Sequence, residues 1–409
     1  METSDEANSA KWEPSRFVIV VLIGLTALAP LSIDMFLPSM PRMAEQFNAA
    51  PSRIQLAVTL FIIAMAISQL VFGPISDRFG RRTTMLVGVA AYAIAGALCG
   101  FATTVTLLLV GRVCQGFAGG SGPSVGRAVV RDVYGKEKTA QVLATMMTVM
   151  ALAPMLAPVL GGYLQVTFGW RSVFVVLGGM GAIFLVLYAI LIPETNRSLD
   201  PTATNPKQMV QNITELLSNR LYVGNVLMMT MLFCGFFAFI ANSSFVLIEV
   251  LGVSPDRFGF CFGFVAFGFM SGAFLSGRFS RRYHRRDLIR VGMIVSATAG
   301  VFLGIQAWTQ TYHVLLIVET MYLYALGGGI LSPMATAEAL IPYPEKAGLA
   351  SSVLGFVRTI GGGLSGMLYL VIYDGTPNPM LYGVACAGLS GLILHFILLR
   401  RVEVPVPAV

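Results

Sequence analysis

Among the charged side chains in stretches long and apolar enough to cross a bilayer, four stand out as lying away from the span ends: Asp34, Arg112, Glu319 and Arg358. An ionisable group in that environment costs at least ~2.5 kcal/mol on the most lenient insertion scale, so each is a functional candidate by default. From the helical rise, Asp34 lies about 10 Å below the surface where its span ends. Arg112 lies about 12 Å below the same surface, where its own span begins. The two are level. A carboxylate beside a guanidinium that keeps its charge can take up and release a proton. Asp34 is therefore the expected proton-coupling group, with Arg112 tuning it; the competing reading is a static ion pair that holds two helices together. Glu319, again about 10 Å deep, and Arg358 either line a cavity that meets a charged or zwitterionic substrate or neutralise each other in the packing.

A second concentration of charge is the loop Gly73-Pro74-Ile75-Ser76-Asp77-Arg78-Phe79-Gly80-Arg81-Arg82. Its glycines allow close approach, and its carboxylate stands among guanidinium groups. Asp77 is placed to meet a helix N-terminus or a nearby arginine through a charge-assisted bond, which would latch a gate. The plainer reading is a basic loop that only sets orientation.

The elements that must position these groups are helices in a membrane. The chain has 409 residues, 56 % hydrophobic and 11 % charged, with mean hydropathy +0.76. Soluble domains carry about 25 % charged residues, so a polytopic membrane protein is expected. Apolar runs of bilayer length lie near 17–40, 54–76, 83–101, 104–126, 140–162 and 171–192. A second series lies near 221–250, 258–278, 288–308, 313–340, 347–372 and 380–399. The reading is twelve transmembrane helices in two pseudo-symmetric six-helix bundles, residues 1–192 and 220–409, joined by a polar linker over 193–219. A short surface helix is expected near Lys207–Leu217.

Placing the N-terminus inside puts 21 of the 27 Lys and Arg on the cytoplasmic side and leaves only Arg42, Arg53, Arg171 and Arg257 facing out. Both termini and the linker are thus expected to be cytoplasmic. The first apolar run lacks a small-residue cleavage site and is taken as a retained helix. The net charge of +7 lies in short loops between spans, which favours membrane orientation over nucleic-acid binding. Duplication is written in the loops. Ser276, Arg278, Phe279, Arg281 and Arg282 repeat Ser76, Arg78, Phe79, Arg81 and Arg82 at a spacing of two hundred, while Gly277 and Ser280 replace Asp77 and Gly80. Repeats of this kind hold substrate near the midplane and rock against each other.

On these residues the chain resembles the major facilitator superfamily over essentially its whole length. Gly73-x-x-x-Asp77-Arg78-x-Gly80-Arg81-Arg82 is similar to the superfamily's loop between helices 2 and 3. Arg112-Val113-Cys114-Gln115-Gly116 is similar to the intramembrane-arginine pattern of drug:H⁺ antiporters. Ala153-Pro154-Met155-Leu156-Ala157-Pro158-Val159-Leu160-Gly161-Gly162 is similar to their helix 5 pattern, with alanine where glycine is usual. Ser32-Ile33-Asp34-Met35-Phe36-Leu37-Pro38 looks like the bicyclomycin/chloramphenicol-resistance subfamily of bacterial exporters. The resemblance implies proton-coupled efflux of small, mostly apolar compounds such as antibiotics across the inner membrane. In helix 5, Pro154 and Pro158 would kink the helix, while Gly161 and Gly162 would permit close contact.

Candidate cavity residues are Met35, Phe233, Phe236, Phe237, Glu319, Tyr322 and Arg358, since flexible Met and broad aromatic faces suit promiscuous binding. The expected partners are a small-molecule substrate, protons and the lipid bilayer, with the protein a monomer and no nucleic acid. The chain contains no G-x-x-x-x-G-K-[ST], so a proton gradient and not ATP is the expected energy source, with no cofactor. The glycines between Gly116 and Gly126 read as helix packing, not as a nucleotide loop. Neither the three histidines nor the five cysteines form a metal or disulfide pattern. An alternative on the same fold is an exporter of one metabolite, sugar or organic anion. A membrane-embedded enzyme would need clustered His, Asp, Ser or Cys at one face, which the sequence lacks.

Overall fold

The computed structural model describes residues 16–134 and 136–399, whose regular structure is entirely helical. The expected placement of both termini falls on residues outside that range. Among the first elements are α1 (Arg16–Asp34), α2 (Met40–Gln46), α3 (Pro51–Phe79), α4 (Arg81–Gly100), α5 (Val105–Gly119), α6 (Ser121–Val133), α7 (Lys136–Phe168) and α8 (Arg171–Leu191). Then come α9 (Pro206–Ser218), α10 (Arg220–Ser244), α11 (Pro255–Phe279), α12 (Arg285–Trp308), α13 (Val314–Leu340), α14 (Ala347–Ile372) and α15 (Asn378–Leu394). The amphipathic α9 is the surface helix anticipated in the linker, begun by Asn205, whose side chain accepts from Lys207 N at 3.0 Å.

Among the described residues eleven helices are long and apolar enough to cross a membrane. The difference from twelve lies in the fourth apolar run. Gly120 divides it into α5, of 15 residues, and α6, of 13, and each alone is too short to span. Gly120 is pressed against α3: a Cβ built there would lie 1.7 Å from Ser68 Oγ, so the chain bends where only glycine fits. The first run is interrupted as well. Pro38 removes a backbone donor and disfavours helix at the residue before it, so α1 stops at Asp34 and a 3₁₀ turn (Leu37–Ser39) leads into α2.

Helices α1–α8 pack among themselves, as do α10–α15; the two sets meet chiefly along α3–α14 and α7–α11. Backbones touch at the second seam. A Cβ on Gly162 would lie 2.3 Å from Pro255 O, and one on Gly259 would lie 2.5 Å from Val159 Cα. Between helices in lipid, such close approach replaces the hydrophobic drive that water would supply. Each set also has an ion pair that joins its own helices. Arg81–Asp132 ties α4 to α6 at 3.0 Å, and Arg286–Glu338 ties α12 to α13 at 3.4 Å.

Candidate functional site

Asp34 ends α1 and is 5 % exposed. It forms no hydrogen bond or ion pair among the described residues, so the expected pairing with Arg112 is not made in this conformation. Its neighbour Met35 is buried, with its backbone against α7; a Cβ on Gly161 would lie 2.1 Å from Met35 O. The helix 5 glycines therefore grip the break in helix 1 on one side (Gly161) and the start of α11 on the other (Gly162). Pro154 and Pro158 lie inside α7, which runs unbroken through both.

Arg112 takes a different set of partners. It is fully buried, donating to Gln115 Oε1 at 2.8 Å and to Ala57 O at 3.4 Å. Its guanidinium carbon lies 4.2 Å from the Phe61 ring centroid, 4.8 Å from Phe36 and 6.0 Å from Phe174. The rings' negative faces stand where a carboxylate was expected. Phe36 follows Asp34 by two residues, so the helix 1 break carries both the carboxyl and one of the rings that cover Arg112.

The expected loop is mostly helical: Gly73–Phe79 are the last turns of α3, Arg81 opens α4, and only Gly80 lies between. Across that turn Asp77 pairs with Arg81 at 2.5 Å, and Arg81 also donates to Ser76 Oγ at 2.6 Å and Asp132 Oδ2 at 3.0 Å. Gly80 has φ +94°, a turn that favours glycine and lets α4 start immediately after α3. Two partners were not anticipated. Asp132, at the end of α6, completes the ion cluster. Glu194, in the linker, caps α4 by accepting from Arg81 N at 2.9 Å and Arg82 N at 3.0 Å. An acid at a helix N-terminus satisfies orphan donors and complements the dipole. Arg82 donates to Ala189 O at 2.7 Å and Arg78 to Thr204 Oγ1 at 2.6 Å, while Asp77 O accepts from Asp200 N at 3.1 Å. Bonds from Thr202 hold the Asp200 carboxyl below its usual range. Asp77 thus closes a cluster within its own set and the linker; the far set contributes no ion-pair partner to it here.

Beside this cluster lies a cavity of about 830 Å³ between the two sets. Gly73, Gln69, Ser124, Arg127 and Arg131 form one wall; Gly348, Ser351 and Ser352 form the other. Of the anticipated cavity residues, Phe233 and Arg358 come together, with the guanidinium carbon 5.4 Å from the ring centroid, and Phe233 stacks on Phe237 at 6.4 Å. Phe237 and Met35 are buried, Phe236 is half-buried, and Tyr322 stacks on Phe264 of α11 at 4.7 Å. Glu319 is exposed on the same helical face as Leu315 and Leu323 and makes no ion pair with Arg358. The mutual neutralisation considered for these two does not occur, because Arg358 rests on an aromatic ring and Glu319 points away from the helices. Sequence reasoning missed Arg127 and Arg131. Their signal was a polar face, Ser124, Arg127 and Arg131, recurring at helical spacing just past the apolar part of the fourth run.

The comparisons with known proteins agree with this picture. A family model described as Major Facilitator Superfamily matches residues 22–366. The Bicyclomycin resistance protein homolog of Haemophilus influenzae is 29 % identical over 399 residues, covering 96 % of this chain and 98 % of that protein. Multidrug resistance protein MdtL of Escherichia coli K12 is 30 % identical over 387 residues, covering 94 % and 96 %. Among solved structures, the peptide transporter POT in complex with sulfate aligns with TM-score 0.76 at 13 % identity, over 95 % of this chain and 96 % of that one. The xylose transporter XylE from E. coli, in a partially occluded inward-open conformation, aligns with TM-score 0.71 at 17 % identity, over 95 % and 99 %. A signature loop clamped by ions, two helical sets meeting at glycine seams and a match over residues 22–366 lead to one conclusion: this multi-pass membrane protein belongs to the Major Facilitator Superfamily.

Proposed function

We propose that the protein is a proton-coupled exporter, a drug:H⁺ antiporter, of small, mostly apolar compounds such as antibiotics across the bacterial inner membrane. The carrying observation is the cavity of about 830 Å³ bounded by both helical sets, beyond which glycine-mediated backbone contacts draw α7 and α11 together. Relatives named for bicyclomycin and multidrug resistance, alike over nearly the full chain, support the same reading. In this reading α5 and α6 together form the fourth of twelve spans, and the six-helix bundles of residues 1–192 and 220–409 rock about the linker 193–219. The protein works as a monomer with both termini and the Gly73–Arg82 loop in the cytoplasm. The cavity then opens inward, and the glycine seam closes the outward path.

Asp34 is the proton site. A buried carboxyl with no fixed partner is free to change protonation when the seam parts, while Arg112, held against aromatic rings, keeps its charge and braces the helix 1 break. Inward proton flow supplies ~2.3 kcal/mol per charge per 100 mV of membrane potential. Substrate export by proteoliposomes under an imposed proton gradient tests this. Asp34→Asn is expected to remove gradient-driven export while leaving expression and substrate binding intact; full export against a gradient by that variant would refute the assignment. A drug-susceptibility panel in an efflux-deficient host separates broad drug export from export of one metabolite, sugar or organic anion.

A further inference from the structure

Cation density along the cavity has no counterpart in the machinery described so far. Ser124, Arg127 and Arg131 share one face of α6 and line the first wall. Across from them, Ser351, Gly355 and Arg358 follow one face of α14 at positions i, i+4 and i+7. Ser351 lines the cavity, and Gly355 packs against the wall residue Gln69. The two faces meet across the sets: a Cβ on Gly348 would lie 3.0 Å from Arg131 Nη1 and one on Gly355 would lie 2.4 Å from Gln69 Oε1, with Arg127 one turn from Arg131 on the first wall and Arg358 one turn from Gly355 on the second.

Asp77, Asp132 and Glu345 line the same cavity, and none of them pairs with Arg127 or Arg358. Asp77 and Asp132 hold Arg81, Glu215 holds Lys346, and Glu345 is exposed. Among the described residues neither Arg127 nor Arg358 has an ion-pair partner. Two buried donors on these faces, Ser124 Oγ and Arg358 Nε, have no acceptor. Like charges held together without a counter-ion are costly, and a purely structural pair would be expected to include an acid. What the arrangement lacks is an anion.

We propose that Arg127 and Arg358 form a clamp for the acidic group of a small amphiphilic substrate, a carboxylate or similar oxyanion on an aromatic body that packs against Phe233. This rests on the export reading and narrows its substrate class. The planar guanidinium fork matches a carboxylate, Ser124 supplies a further donor, and Phe233, already beneath Arg358, offers the apolar surface. Because one arginine comes from each set, a bound anion draws the sets together and cancels their repulsion. When the sets rock apart, each arginine carries away half the site and the anion is released.

The test is binding of naphthoate and naphthamide, equal in ring and nearly equal in size, to the purified full-length protein in detergent by calorimetry. The wild type is expected to prefer the acid by about tenfold or more, as charge-assisted contacts do over neutral ones. Arg127→Gln and Arg358→Gln should each bring that preference close to one, and Arg358→Lys should keep part of it. No binding of the acid, equal affinities in the wild type, or a preference that survives both Gln variants would overturn the clamp. If the Gln variants fail to fold, judged by elution and melting, the wild-type acid-to-amide ratio decides alone. Gradient-driven export of a neutral drug by wild-type proteoliposomes is measured in parallel. Export without acid preference removes the clamp and leaves the exporter reading; absence of all gradient-driven export removes the exporter reading itself.

Discussion

Arg112 shows how a charge can be held in a membrane without an acid, even with its Nη2 left without a hydrogen-bond partner. Three phenyl rings from α5's neighbours and two oxygen acceptors surround it. A desolvated cation–π contact contributes about 2 kcal/mol. A double-mutant cycle of Arg112→Met and Phe61→Leu, read by thermal unfolding in detergent, should therefore give a coupling of about 1–2 kcal/mol. Zero coupling would reduce Phe61 to ordinary packing. The position of Arg112 in a span was legible in the sequence because a lone charge in an apolar run is conspicuous. Its partners were not, since Phe36 lies in the break after α1, Phe61 on α3 and Phe174 on α8, and nothing in their spacing marks them as a cage. For Asp34 the sequence offered a depth and an expected partner; the side chain is buried, and its lack of a bond to Arg112 is a tertiary fact that depth alone does not determine.

At the scale of elements, the glycines of α7 and α11 carry the seam. Gly162 meets Pro255 backbone at a distance that no real Cβ tolerates, and backbone has little room to yield. Gly162→Val should therefore prop α7 from α11 at a cost of about 1–3 kcal/mol, typical of overpacking. That is about tenfold in the conformational ratio for each 1.4 kcal/mol. The expected signature is increased thiol labelling of a cysteine placed at Ser254 and a fall in export; unchanged labelling would show that the seam yields elsewhere. Helix identity here was readable from hydropathy and repeat, and the glycines of α7 read as a place of close helix contact, though not as the join between the sets. The division of the fourth run was not readable, because Gly120 looks like any other small residue until Ser68 is set against it.

For the whole molecule, each set has an ion pair across its own helices, Arg81–Asp132 and Arg286–Glu338, but Arg286 is not the repeat counterpart of Arg81, and the acid at Asp77, replaced by Gly277, builds a cluster on one side only. The linker is shared between the sets and does not float free. Its first part, through Glu194, Asn196 and Asp200, is bonded to the α3–α4 turn. Its second part, α9, is fastened to the other set by Lys346 on Glu215 at 2.6 Å and by Tyr343 Oη on Glu215 O at 3.1 Å. Only the short turn between them is unclaimed apart from Arg78 reaching Thr204. That arrangement fixes where the polypeptide can be cut. Two separately translated fragments divided within residues 202–205 would each keep their own anchor and should reassemble into a working exporter when produced together, as followed by co-purification and drug tolerance. A division at residue 193 would strip the first fragment of Glu194, unseat α4, and yield fragments that fail to associate.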